Sequence, residues 1–148
     1  MSNIRIISQY IKELDFSLPS SPQVFLSPQD KPNIALSIDL DAKKMSDELY
    51  EVILKISADA KIKDQQFFNC TIQYAGLFAL QKLEGEMLEQ VLLIYCPNLL
   101  FPFLRRIIAN VTADSGIAPL MLDPIDFAQL YSRRKAAAES APVNNTKN

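Results

Sequence analysis

Four stretches of this chain alternate apolar and polar residues with a period of two, which predicts half-buried β-strands. In the first, Ile4, Ile6, Tyr10, Leu14, Phe16 and Leu18 share one parity. Ser8 and Lys12 interrupt that set, so a bulge or an edge position is expected there. The second stretch alternates Ile34, Leu36, Ile38 and Leu40 with Ala35, Ser37, Asp39 and Asp41. The third sets Tyr50, Val52, Leu54, Ile56, Ala58 and Ala60 against Glu51, Ile53, Lys55, Ser57, Asp59 and Lys61. The fourth sets Phe68, Cys70, Ile72 and Tyr74 against Asn69, Thr71 and Gln73, with Phe78 expected to follow the strand. One apolar and one wet face per strand fits an antiparallel sheet covered on one side. Lys63-Asp64-Gln65 reads as the hairpin loop between the third and fourth strands. A proline-rich connection from Pro19 to Pro32 joins the first and second. It is too long for a hairpin, so it is expected to cross to another place in the sheet, carrying Val24-Phe25-Leu26 with it.

After Gly85 the period becomes helical. Leu88, Val91, Leu92 and Tyr95 predict a short helix that stops before Pro97. Leu100, Phe103, Leu104, Ile107, Ile108 and Val111 predict a second, opening near Pro102 and closing at Gly116 in a left-handed cap. That helix is expected to cover the sheet or to pack against a twin. A last helix begins at Asp126, with Gln129 three residues on and a narrow apolar face of Phe127, Leu130 and Tyr131. It is expected to run past Tyr131 and give way, from about Ser140, to a disordered tail. The reading is therefore an α+β domain over residues 1–131, followed at 132–148 by a helix end and tail.

A chain of 148 residues holds one domain with a real core, and 49% hydrophobic with 22% charged residues is a globular composition. Histidine is absent, which excludes His-dependent triads and His metal ligands. The glycines, Gly76, Gly85 and Gly116, are too scattered for a phosphate-cradling loop. A net charge of -2 argues against sequence-blind nucleic-acid binding. From Ser132 onward four basic residues face one acid, leaving a body with 11 basic and 16 acidic residues. The N-terminus has no secretory signal pattern, and the most apolar stretch, Val91 to Leu104, is interrupted by Pro97, Asn98 and Pro102. No membrane insertion is expected. Cys70 and Cys96 read as buried free thiols of a reducing compartment.

Candidate chemistry is sparse. Asp39 and Asp41 share a strand face and could share a proton, although strand exteriors are ordinarily charged. Arg105-Arg106 fall on the polar side of their helix. Nothing assembles a nucleophile, a base and an oxyanion donor, so no catalytic residue, cofactor or metal is expected. The surplus is hydrophobic instead. Val24, Phe25, Leu26, Phe78, Leu130 and Tyr131 are candidates for an apolar groove that binds a partner, with Phe127 beside them.

The run Tyr95-Cys-Pro-Asn-Leu-Leu-Phe-Pro-Phe-Leu-Arg resembles the hallmark segment of the bacterial protein-export chaperone family SecB. Flanking pieces match in order: Phe16-Ser-Leu-Pro-Ser-Ser-Pro-Gln-Val-Phe, Leu49-Tyr-Glu-Val-Ile-Leu, Gly76-Leu-Phe and Leu122-Asp-Pro-Ile-Asp-Phe-Ala-Gln-Leu-Tyr. The resemblance spans about Ile6 to Tyr131. It implies a four-stranded antiparallel sheet with a crossover loop, a long and a short helix, and a tetramer built as a dimer of dimers. It implies an ATP-independent cytoplasmic holdase that binds unfolded secretory precursors and delivers them to the SecA motor ATPase. Helix residues Cys96, Leu100, Phe103, Leu104, Ile107 and Ile108 are the expected tetramer contacts. The family's acidic docking face for the motor maps onto Glu13, Ser17, Asn69 and Thr71, with Asp15 as a same-face neighbour, and only Glu13 of the four keeps the charge. Two other readings remain: a SecB-like chaperone dedicated to one partner, such as a toxin-antitoxin protein, and a small α+β enzyme using Asp39 or Asp41.

Overall fold

A computed structural model describes residues 3–26 and 30–140. The four predicted strands form one antiparallel sheet: β1 (Ile4–Ser17), β2 (Asn33–Ser46), β3 (Leu49–Ile62) and β4 (Gln65–Leu80), in the spatial order β1-β4-β3-β2. The first two strands thus lie on opposite edges, and the proline-rich connection crosses the sheet as expected. The β3–β4 turn is tighter than its sequence reads. Only Lys63 and Asp64 lie between the strands, both with positive φ (51° and 66°), the backbone a two-residue hairpin needs to match strand twist. Gln65 already belongs to β4.

The sheet buries the face predicted for it. Val52, Leu54, Ile56, Ala58 and Ala60 of β3 pair across to Gly76, Tyr74, Ile72, Cys70 and Phe68 of β4, and all ten are buried. β4 runs on to Leu80, so Phe78 is inside the strand and fully buried, not beyond it. The thiols of Cys70 and Cys96 sit in this core, unpaired, and burial pushes them up to about 11 and about 12.

The two predicted helices are one. A single helix runs from Gly85 to Asp114, straight through Pro97 and Pro102. By length and composition it could cross a bilayer, and the prolines do not interrupt it. A wide turn, Val91–Tyr95, precedes Pro97; Cys96 N–H donates to the Val91 carbonyl five residues back. This wider turn gives the proline ring room that a regular helix denies it. At Pro102 the lost hydrogen bond falls on the water side, since Pro102 and Asn98 are both exposed. The opposite face, Cys96, Leu100, Leu104 and Ile108 at four-residue steps, is completely buried and packs on β3 and β4. Those four residues therefore serve the fold of one chain and are not free for a twin. Phe103 and Ile107 lie off that line, respectively exposed and half-buried, and Phe103 stacks on Tyr74 at 6.1 Å.

Gly116 closes the helix with φ +81°, and Thr112 ties the following connector down by accepting the Leu120 N–H at 2.8 Å. The terminal helix (Phe127–Ser140) starts as predicted, with Asp126 Oδ1 accepting the Gln129 N–H at 3.0 Å. It continues unbroken past residue 131; the tail expected from about Ser140 lies outside the described residues.

Leu104→Ala is expected to cost about 2–5 kcal/mol in urea unfolding, because the cavity opens where sheet and helix meet. Leu26→Ala, at an exposed loop position, should stay within about 0.5 kcal/mol.

Candidate functional surfaces

The apolar candidates separate into two groups. In the crossover, a short turn of 3-10 helix (Gln23–Phe25) holds Val24 half-buried and leaves Phe25 and Leu26 exposed, Leu26 by 78%. The Phe25 ring lies against Gly116, where an added Cβ would stand 3.3 Å from it. The crossover thus meets the turn at the end of the long helix. From that turn the connector runs back along the helix and encloses an open cleft of about 700 Å³, lined by Phe101, Pro102, Ala109, Pro119, Met121 and the two arginines Arg105 and Arg106. Arg105 Nε donates to the Leu122 carbonyl at 2.7 Å and so holds the cleft's far wall.

The second group is spent on the fold. Phe78 is core, and Tyr131 is buried with its hydroxyl donating to Glu89 Oε1 at 2.6 Å. Lys135 bonds Glu86 and lies over the Tyr131 ring, fastening the terminal helix to the start of the long one. Leu130 of that helix is half-buried and faces a hollow shared with Ile38, Leu40 and Arg134. A groove made of all six predicted residues is therefore not what the structure holds. Phe78 and Tyr131 drop out because sheet and helix need them.

On the other side of the sheet, the register pairs Glu13 with Gln73, Asp15 with Thr71 and Ser17 with Asn69. All five predicted docking residues stand on this outer face at its β1–β4 end. Three already have internal partners: Gln73 donates to Glu13 Oε1 at 2.8 Å, Thr71 and Ser57 share a hydrogen bond of 3.3 Å, and Gln66 donates to Asn69 Oδ1 at 3.2 Å. Asp39 and Asp41 are exposed on the same face, Asp39 opposite Lys55 and Asp41 near Lys43 at 4.0 Å. They are solvated charges of a sheet exterior, and among the described residues no cluster of acids and cysteines could hold a metal.

One cluster on this face escaped the sequence reading. Glu51 is 7% exposed, accepts the Tyr10 hydroxyl at 2.6 Å and is gripped by Lys12 at 2.9 and 2.8 Å on its two oxygens. Tyr10 was expected on the apolar side. Two register shifts in β1, between Ile6 and Ser8 and between Ile11 and Glu13, turn it outward and turn Ile11 inward. The signal was present in the chain as the interruptions at Ser8 and Lys12. The hydrogen bonds from Lys12 and Tyr10 hold the Glu51 carboxyl below the usual carboxylate range, and burial together with that carboxylate pushes the Tyr10 phenol up to about 12.

Comparison with known proteins adds three findings. The family model described as "Preprotein translocase subunit SecB" matches residues 1–138. Proteins named protein-export protein SecB resemble the chain throughout. That of Hyphomonas neptunium is 46% identical over 97% of this chain and 86% of its own length. That of Parvibaculum lavamentivorans is 44% identical over 93% of this chain and 82% of its own. Among solved structures, a SecB-like chaperone from Mycobacterium tuberculosis, in complex with a ChAD peptide from the HigA1 antitoxin, superposes with a TM-score of 0.68 at 14% identity. It covers 82% of this chain and 90% of its own, and at that identity the likeness is one of fold.

The Glu51 cluster makes an acid-stability prediction. The folded carboxyl titrates below its unfolded value, so as pH falls the unfolded chain takes up the proton first and stability is lost. The contribution is complete above about pH 5 and fades as pH drops through the folded value. In urea midpoints measured across that range, Glu51→Gln should start lower and show a shallower acid dependence than the parent.

Proposed function

This chain belongs to the SecB family of protein-export chaperones, and we propose that it acts as an ATP-independent holdase for unfolded secretory precursors in the cytoplasm. The observation that supports client binding at a particular place is the exposed Phe25-Leu26 pair, seated at the end of the apolar cleft beside the long helix. A holdase needs no catalytic group. It needs apolar surface, and burying a client's side chains against it contributes about 25 cal/mol per Å² without regard to direction. Several such surfaces in one assembly raise the local concentration of binding sites, so a long client is held tightly while each segment can still leave.

The assembly is a tetramer on this reading, with Phe103 kept from the expected helix contacts and strand β1 brought in beside it. Among the described residues strand β1 pairs with a strand on one side only, and Ile6, Ile11 and Leu14 stand exposed on the helix side of the sheet together with Phe103. An unpaired strand edge beside exposed apolar side chains suits a second copy of the chain. The outer face carrying Glu13, Asp15, Ser17, Asn69 and Thr71 is the proposed dock for the SecA motor. Since only Glu13 and Asp15 of these five are charged, that contact should depend less on salt than five acidic residues would.

A reading as a chaperone dedicated to one toxin-antitoxin partner is less well supported. The likeness to the SecB-like chaperone is at 14% identity, against 44–46% to the export proteins named above.

The purified protein should sediment as a tetramer and slow the refolding of a signal-bearing precursor at one tetramer per client. Leu26→Asp and Phe25→Asp should each weaken precursor binding about tenfold, as expected for lost apolar burial, with the oligomer intact. A parent protein that leaves refolding untouched would overturn the reading.

A further inference from the structure

Strand β1 can be laid against β4 in two ways, and its sequence fits neither perfectly. Continued without interruption from the Leu14–Ile72 pair, the ladder would oppose Lys12 to Tyr74 and Ser8 to Phe78, placing an ammonium and a hydroxyl on the buried side of the sheet. The observed ladder inserts an extra residue twice. Ile11 opposes Tyr74, Ser8 opposes Leu77, and Ile6 opposes Phe78. The segment between the two bulges is thereby rotated by one side-chain position, which takes Tyr10 and Lys12 to the outer face and brings Ile11 to the apolar one.

What rewards this choice is on another strand. Glu51 lies on β3, two strands from β1, opposite Leu77 of β4. Its carboxylate holds the only two residues of β1 that bond to it, Tyr10 and Lys12, and both sit in the rotated stretch. Ala75, the β4 partner of Tyr10, is a small residue between β1 and β3. In the uninterrupted ladder Tyr10 and Lys12 would point to the other face, and the carboxylate would lose both of its charge-assisted hydrogen bonds.

We propose that Glu51 is a positioning residue that selects the bulged register of β1 and thereby turns Ile11 to the apolar side, completing with Ile6 and Leu14 the row offered to a second subunit. The register half of this stands on the pairings above. The assembly half rests on the oligomer proposed in the preceding section. Glu51 does not touch that interface, being on the opposite face of the sheet.

Paired cysteines read the register directly. Ser8→Cys with Leu77→Cys are opposed only in the bulged ladder, whereas Asp15→Cys with Thr71→Cys lie beyond both bulges and are opposed in either. In the parent both pairs should close rapidly on oxidation. In Glu51→Leu, closure of the first pair should slow by roughly tenfold or more while the second is unchanged, since a bridge demands matched geometry. The milder Glu51→Gln carries the same comparison if the leucine variant does not fold. Exchanging the charges, Lys12→Glu with Glu51→Lys, should restore closure and return the subunit dissociation midpoint, raised about tenfold in Glu51→Leu, to within about threefold of the parent. Equal slowing of both pairs would mean that Glu51 only stabilises the fold, and unchanged closure of the first would mean that it selects nothing; either overturns the proposal. A parent that stays monomeric at every concentration removes the assembly reading, while the cysteine comparison still decides the register.

Discussion

The packing of Cys96, Leu100, Leu104 and Ile108 onto the even-numbered face of β3 and β4 is the contact on which the other features depend. It removes the largest apolar surfaces of the chain from water at once. It also fixes which way every strand must face, because side chains alternate strictly across a sheet. Once the inner face of β3 and β4 is committed to the helix, the opposite face must be tolerable to water. Lys55, Ser57, Asp59, Asn69, Thr71 and Gln73 follow from that requirement. The edges then inherit what remains: among the described residues β1 and β2 each have a strand neighbour on one side only, and their apolar residues stay partly exposed.

The strand pattern was legible because a period of two is written directly into residue order, and β2 and β3 appear where the alternation placed them, while β4 runs past it at both ends. The crossover was legible from its length, and the Asp126 cap from its chemistry. Prolines misled. Pro97 and Pro102 argue for a helix boundary in isolation, yet a widened turn before the first and a water-facing gap at the second let one helix continue. The division of apolar residues between core and surface was harder still. Phe78, Tyr131, Leu100 and Phe25 look alike in a list of hydrophobic positions, and only packing separates the first three from the fourth. Glu51 stands in the polar half of the third strand's alternation, which reads as its wet face. Its partners come from a strand whose phase is reset twice, and a count of parity along the chain passes over such resets.

The two faces of one sheet thus carry different kinds of work in the proposed chaperone. Apolar contact, which is tolerant of sequence, is concentrated around the crossover, the connector and the helix side of β1. Directional polar contact lies outside, where hydrogen bonds such as Gln73–Glu13 and Ser57–Thr71 already order the side chains. The Phe25–Gly116 contact is where the crossover and the end of the long helix come together, and the absence of a side chain at Gly116 is what allows it.

The strand order has a kinetic side as well. β2, β3 and β4 form a meander joined by very short turns, so their pairings close small loops and can assemble early. β1 pairs residues about sixty positions apart, Glu13 with Gln73 among them, and cannot dock until β4 exists. On a ribosome the first strand to emerge is then the last to find its place. A newly made chain must wait with an orphan segment that is itself partly apolar, which makes every fresh copy of this protein, for a moment, the kind of polypeptide its family exists to hold.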